Sequence, residues 1–435
     1  MQNESDRINA VKQLRRIAQD RAYRSLVSSG SSPRTVEIVA TVTRWRRWID
    51  FQLVHFCRSS PGRLEPLVAE VLRAGIGEMI VLRTPAFAAV HSWVVVARAM
   101  VRPQAARLVN AVLRRVAEQL DDLPEPQTQD PVRNLAIRWS HPTWLAKKYV
   151  RSRGVQVAIK LMKANNRAPN HYVRVNTLKT DKDDFECYLA ELGIGYEQAS
   201  YLKNYYHVSR LSPIVRAGLL QQGLCAVHDQ SAGLVVRLLD PQPGESVLDA
   251  CAAPGGKTCQ IAQRMSDRGC IAAWDVHPGR ADRIRKAIKD HNLRSVRVAC
   301  RDLRTAPAME FDRVLVDVPC TGTGVLAKRA DLRWQRTPKD LTDLISLQDT
   351  LLEAAARHVR PGGRLVYSTC SIEPEENERC VYAFLTQYPN FRLIPAAGIV
   401  PDDVMDDSGF LATLPYYHRT DGAFAACLQR GGHDD

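Results

Sequence analysis

Glu245-Ser246-Val247-Leu248-Asp249-Ala250-Cys251-Ala252-Ala253-Pro254-Gly255-Gly256-Lys257-Thr258 is the stretch on which the fold of this chain turns. Its apolar start reads as a short buried strand, its Pro-Gly-Gly run as a tight turn, and Lys257-Thr258 as the opening of a helix. Strand, glycine turn and helix in that order form the entrance to a nucleotide-type cofactor site in an open α/β sheet. The ending Gly256-Lys257-Thr258 imitates a P-loop, but that motif needs a glycine at position 251, where this chain has Cys251. The GxGxxG fingerprint of dinucleotide enzymes is absent too. A cofactor without a pyrophosphate, such as S-adenosylmethionine, suits what remains.

Toward the C-terminus two more strand-like runs follow. Residues 270–275 end in Asp275, near where a ribose-binding carboxylate belongs, and 296–302 end in Asp302, placed to accept a hydrogen bond from an adenine amino group. Either acid alone reads as a helix cap or turn residue; their shared position at successive strand ends favours the cofactor. Beyond them, 311–316 and 364–367 read as buried strands, each giving way to a polar turn that carries a cysteine. The turns are Asp317-Val318-Pro319-Cys320 and Ser368-Thr369-Cys370-Ser371. If these strands are neighbours, about 4.8 Å apart, both thiols face one cleft. That suits covalent chemistry in which one thiol attacks and the other assists. Cys57, Cys187, Cys259, Cys270, Cys300, Cys380 and Cys427 instead read as small buried hydrophobes. No cysteine pair or Cys/His group has zinc spacing, so no metal is expected.

A chain of 435 residues exceeds a single core, and three regions are expected. Residues 1–125 are helical, with apolar residues at three- and four-residue spacing over 8–27, 33–57, 64–82 and 105–120. Within them Arg44-Trp45-Arg46-Arg47-Trp48 reads as a core stripe of tryptophans flanked by exposed arginines. Prolines 124, 126 and 131 mark a linker. Residues 132–225 read as a small α+β subdomain, with helices over 142–153, 156–165 and 182–192 and strands at 172–176 and, at its edge, 226–227. Residues 226–435 alternate strand and helix, the rhythm of a parallel sheet covered by helices on both faces. Asp229 reads as a helix cap, and 402–407 and the tail 431–435 as solvated surface.

Charge is unevenly placed. Residues 1–200 hold 31 Lys+Arg against 19 Asp+Glu, and 201–435 hold 29 against 28, so nearly all of the +13 excess lies in the front half. A basic front module beside a near-neutral half suggests that one part grips a polyanion and the other processes it. No apolar run reaches membrane-spanning length, and the first residues lack a signal peptide's apolar stretch. Eleven cysteines without such a leader point to reduced thiols in a cytoplasm.

Three motifs in fixed order resemble the RNA 5-methylcytosine methyltransferases: Asp249 to Thr258, Asp317 to Gly324, and Tyr367 to Glu378. The front region looks like the NusB-like helical domain of the bacterial small-subunit rRNA branch (Sun/Fmu type), most closely over Ala105 to Arg115. The resemblance implies a Rossmann-like S-adenosylmethionine-dependent methyltransferase domain (226–435), preceded by an all-α NusB-like RNA-binding domain (1–125) and a small α+β subdomain (132–225). It implies that Cys370 adds to cytosine C6, that Cys320 assists release of the methylated RNA, and that Asp317 holds the base. Asp275, Asp302 and Asp317 would then hold the cofactor, wrapped by Cys251, Ala252, Ala253, Pro254, Gly255, Gly256 and Lys257. Lys328, Arg329 and Arg333 would meet the RNA backbone. The implied partner is small-subunit (16S) rRNA, with no membrane or metal, and a monomer is expected. DNA cytosine methyltransferases, whose nucleophile sits in the Pro-Cys motif, would give the attack to Cys320. A tRNA cytosine-C5 methyltransferase would share every catalytic residue, and a non-catalytic RNA-binding assembly factor is the more distant alternative.

Overall fold

The computed structural model describes residues 2–20 and 30–432. The chain divides into two compact units, 1–168 with 326–337, and 169–325 with 338–435. Among the described residues the first unit is built from α1 (Gln2–Asp20), α2 (Pro33–Cys57), α3 (Pro66–Ile80), α4 (Ala86–Met100), α5 (Pro103–Glu118), α6 (Pro131–Arg138) and α7 (Thr143–Asn166), with a short helix at Leu332–Gln335. Proline opens α2, α3, α5 and α6, where its missing N–H would find no helical partner anyway. Ser32 and Asp130 cap α2 and α6 through their side chains.

Helix α3 is the hub of this bundle, buried along its length from Val68 to Ile80. Gly75 permits the close approach of its neighbours: a Cβ there would lie 2.9 Å from Leu113 and 3.3 Å from Trp93. The Glu78 carboxylate, inside the bundle, is matched by Arg7 at 2.8 Å, by Arg34, and by the Trp93 indole N–H at 2.5 Å. A buried charge persists only when paired in this way.

Several expectations change here. The segment 21–27 of the first expected helix lies outside the described residues, as do 433–435 of the tail. Helix α4 was not announced by periodicity, because Ala86–Met100 is apolar on nearly every side and shows no polar stripe. The expected helices 142–153 and 156–165 form one run, α7, broken at Gly154 with φ +76°. The arginines flanking Trp48 are not exposed. Arg44 is buried and donates to the Ala327 carbonyl at 2.9 Å, and Arg47 donates to the His141 carbonyl at 2.6 Å and Thr143 Oγ1 at 2.8 Å. Arg333, expected at an RNA backbone, is 1% exposed and donates to the carbonyls of Ser140 (3.1 Å) and Asn165 (2.9 Å) and to Asn166 Oδ1 (2.7 Å). Asn165 and Asn166 end α7, where unpaired carbonyls and the helix dipole favour a cation.

Among the described residues the second unit holds two sheets. The smaller, in strand order β2-β3-β1-β4, is antiparallel: β1 (Tyr172–Val175), β2 (Tyr196–Gln198), β3 (Tyr205–Val208) and β4 (Cys225–Val227), with α8 (Lys182–Glu191) after β1. The larger sheet contains β5 (Ser246–Asp249), β6 (Cys270–Asp275), β7 (Val296–Cys300), β8 (Phe311–Asp317), β9 (Val359–Thr369), β10 (Phe391–Ile394), β11 (Leu411–Thr413) and β12 (Ala423–Arg430). Its order is β10-β12-β9-β8-β5-β6-β7, with β11 also on β12. Strands β9, β8, β5, β6 and β7 are parallel, as the rhythm predicted, but β12 enters antiparallel beside β9. The sheet is therefore mixed.

Alternation along the central strands fills both faces. Val247, Leu315 and Val366 point to one core, with α9 (Gln230–Leu239), α10 (Gly256–Arg264) and α11 (Pro278–His291). Leu248, Val314, Val316 and Tyr367 point to the other, with α12 (Pro338–Ala356) and α13 (Glu378–Gln387). Asp229 caps α9, as expected. Cys259, Cys380 and Cys427 are buried, but Cys187, Cys270 and Cys300 are exposed, contrary to expectation. Cys270 opens β6 and Cys300 ends β7, and Cys187 lies off the face by which Phe185 and Leu189 bury α8.

Candidate active site

Chain order reverses at β5: β6 and β7 follow on one side, β8 and β9 on the other. An open α/β sheet leaves a crevice at such a switch point, beyond the carboxyl ends of the strands. The glycine turn after β5 and Asp317 at the end of β8 both open into it. Gly255, with φ +104°, sits just before α10, and a Cβ there would come within 3.4 Å of the Ile284 backbone. Only glycine fits that turn.

The side chains converge in steps. Lys257, second residue of α10, reaches across to Asp317, Nζ to Oδ2 at 2.7 Å, and Ser368 Oγ donates to the other Asp317 oxygen at 2.7 Å. Burial lowers the Lys257 pKa, but the charge and hydrogen bond of Asp317 outweigh it, and the ammonium is held above its ordinary value. Asp249, fully buried behind the turn, accepts from Thr258 Oγ1 at 2.6 Å, and burial pushes its carboxyl up to about 7. Strands β8 and β9 are in register, Asp317 opposite Ser368. Their turns therefore meet, and Cys320 Sγ lies 3.3 Å from Cys370 Sγ. Cys320 is buried and Cys370 half-buried. The contact with Cys370, together with burial, drives the Cys320 thiol well above its usual pKa.

The strand-end acids stand where the sequence put them. Asp275, ending β6, is buried, accepts from the His277 N–H at 3.0 Å and pairs with Arg280 at 3.3 Å. Asp302, just past β7, is held by Arg304 through Nη2 at 2.6 Å and Nε at 2.9 Å, and that hydrogen bonding depresses its pKa. Burial raises the Cys251 thiol far above its usual range, so it is a neutral wall of the turn. Carboxylate acceptors at three strand ends suit a ligand bearing hydroxyls and amines. That acceptor set fits S-adenosylmethionine.

Sequence reasoning overlooked Glu376. Its carboxylate is fully buried and accepts from the Thr321 N–H (2.8 Å), Gln348 Nε2 (2.9 Å), Thr321 Oγ1 and Ser371 Oγ. In the run Glu375-Glu376-Asn377-Glu378 it looks like solvated surface. Only its position six residues past Cys370 hinted otherwise. Among the described residues no cluster could hold a metal ion, and no helix is long and apolar enough to cross a membrane.

The chain is similar to known proteins in each of its three regions. Residues 236–429 match the family described as 16S rRNA methyltransferase RsmB/F, residues 2–118 the NusB family, and residues 141–208 the ferredoxin-like domain of RsmF/B-like methyltransferases. Among solved structures, the crystal structure of PH0851 is 26% identical with a TM-score of 0.81 over 98% of both chains. A methyltransferase homolog from Pyrococcus horikoshii is 29% identical, TM-score 0.61, over 69% of this chain and 99% of its own. Fold and crevice thus define an α/β methyltransferase domain carried behind a NusB domain and a small ferredoxin-like one. A probable ribosomal RNA small subunit methyltransferase B from Bacillus subtilis is 31% identical over 99% of this chain and 100% of its own length, and one from Synechocystis 33% over 95% of each. The chain belongs to this ribosomal RNA small subunit methyltransferase B family.

Proposed function

We propose that the chain methylates C5 of a cytosine in 16S rRNA, using S-adenosylmethionine and a covalent bond between Cys370 and cytosine C6. The observation that carries the proposal is the contact of two thiols, 3.3 Å apart, beside the Lys257–Asp317 pair. Cytosine C5 is a poor nucleophile until a thiolate adds at C6 and makes it enamine-like. Cys370, the more open thiol, makes that addition. Asp317 holds N3 and N4 of the base, and Ser368 and Lys257 keep its carboxylate oriented for that task. Asp275, Asp302 and the turn 251–257 would hold S-adenosylmethionine, which would supply the methyl group for C5. A base then takes the C5 proton, the electron pair left behind re-forms the C5–C6 double bond as the S–C6 bond breaks and Cys370 leaves as the thiolate, and Cys320 assists release. The target must be unstacked to reach this crevice.

On this reading 1–125 and 132–225 hold the RNA and 226–435 carries out the chemistry. The test is incubation of wild type, Cys320→Ala and Cys370→Ala with unmodified small-subunit rRNA, tRNA and methyl-labelled S-adenosylmethionine, followed by denaturing gels. Label in rRNA with wild type, a protein–rRNA adduct with Cys320→Ala, and neither with Cys370→Ala are expected. An adduct only with Cys370→Ala would exchange the two roles. Label in tRNA alone would reassign the substrate, and no transfer at all would leave an RNA-binding assembly factor.

A further inference from the structure

Each cysteine turn is polar, and the backbone joins the two through the Gly324 N–H and the Cys370 carbonyl at 3.0 Å. The side-chain ties that converge on one group lie one residue from each sulfur. Thr321, next to Cys320, donates its backbone N–H at 2.8 Å and its hydroxyl to Glu376, and Ser371, next to Cys370, donates its hydroxyl to the same carboxylate. Gln348 of α12 donates both to Glu376 (2.9 Å) and to the Pro319 carbonyl (2.9 Å), on the other side of Cys320. Four donors from three separate segments therefore end on one fully buried side chain. A carboxylate is the side chain with the acceptor sites to take them all.

Glu376 is itself fixed. The Tyr367 hydroxyl donates to its backbone carbonyl at 2.6 Å, and the next residue, Asn377, accepts from Thr369 Oγ1 at 2.7 Å and donates to the Ser371 carbonyl at 3.0 Å. The end of β9 and the start of α13 thus brace the carboxylate before it engages the cysteine turns.

We propose that Glu376 is a positioning residue for both thiols, a single buried carboxylate that ties the Cys320 turn to the Cys370 turn and sets the distance between the sulfurs. It touches no reacting atom. The kinetic consequence rests on the two-cysteine reading above, but the geometric claim does not, so the two can fail separately.

The test uses the full chain without RNA or cofactor. Diamide oxidises adjacent thiols to a disulfide, and digestion followed by mass spectrometry counts the Cys320–Cys370 linkage over time, with Cys320→Ser as the blank. Displacing one turn by about an ångström should slow cross-linking in Glu376→Ala by about tenfold or more. Glu376→Gln keeps an acceptor and should recover part of the rate. Methylation kcat should fall in parallel while the KM values for RNA and S-adenosylmethionine stay within about twofold. If Glu376→Ala does not fold, Ser371→Ala, which cuts one tether, should slow cross-linking by about threefold. Wild-type cross-linking rates in the variant that folds would overturn the proposal. Slowed cross-linking in an enzyme that never methylates RNA would uphold the geometry and sink the functional reading.

Discussion

At the scale of the residue, the site brings together groups that burial pushes in different directions. Two sulfurs in contact cannot both be thiolates at modest cost, because like charges so close repel. Cys320, pushed up by that contact and by burial, keeps its proton, and in the proposed reaction the attack falls to Cys370. Asp249 offers a separate test. Burial lifts its folded-state pKa to about 7 from an ordinary 3.8, so between those values the folded protein binds the extra proton. Its contribution to stability is then greatest below about pH 4 and is lost as pH rises through 7. Asp249→Asn, which keeps an acceptor for Thr258, should flatten that decline. The urea midpoints of wild type and variant should lie closest at about pH 4 and furthest apart at pH 8, with the variant the more stable. Equal midpoints at pH 8 would mean that Asp249 is ionised without penalty.

At the scale of the element, what was legible in the sequence was whatever a single segment decides alone. The strand–glycine–helix unit around Gly255 is local, as are the acids at the ends of β6 and β7 and the cysteines after β8 and β9. Strand β12 was not legible as an antiparallel insertion, because Cys427 meets Val366 across 61 residues of chain and nothing in 423–430 names its partner. Arg333 misled for a similar reason. A basic side chain in the run Lys328 to Arg333 reads as a phosphate ligand, while the carbonyls that engage it come from Ser140 and Asn165. Arg333→Met should strand those acceptors and destabilise the first unit by about 2–4 kcal/mol. Thermal unfolding should register it as a lowered Tm, whereas an unchanged Tm with weakened RNA binding would restore the phosphate-ligand reading. Glu376 was hidden in the same way, as one acid among several.

At the scale of the whole molecule, the charge distribution bears on the proposed RNA partner. With nearly all of the +13 excess in the first 200 residues, association with RNA should be strongly salt-dependent. If about six phosphates are neutralised, affinity measured by filter binding should fall by two to three orders of magnitude, roughly, between 50 and 200 mM salt. A flat dependence would remove the electrostatic grip from the account. The three-part order along the chain was readable because linker prolines and the change from helical to strand–helix rhythm are compositional. The path of the chain was not. Residues 317–325 belong to the second unit, 326–337 to the first, and 338 onward to the second again. Three covalent crossings therefore join the units, at 168–169, 325–326 and 337–338, and no single nick in the backbone can separate them. During synthesis the order matters too. The amino-terminal bundle cannot close around Arg333 until the ribosome has delivered three quarters of the chain, so the first unit is finished only after residues 169–325 of the second have been made.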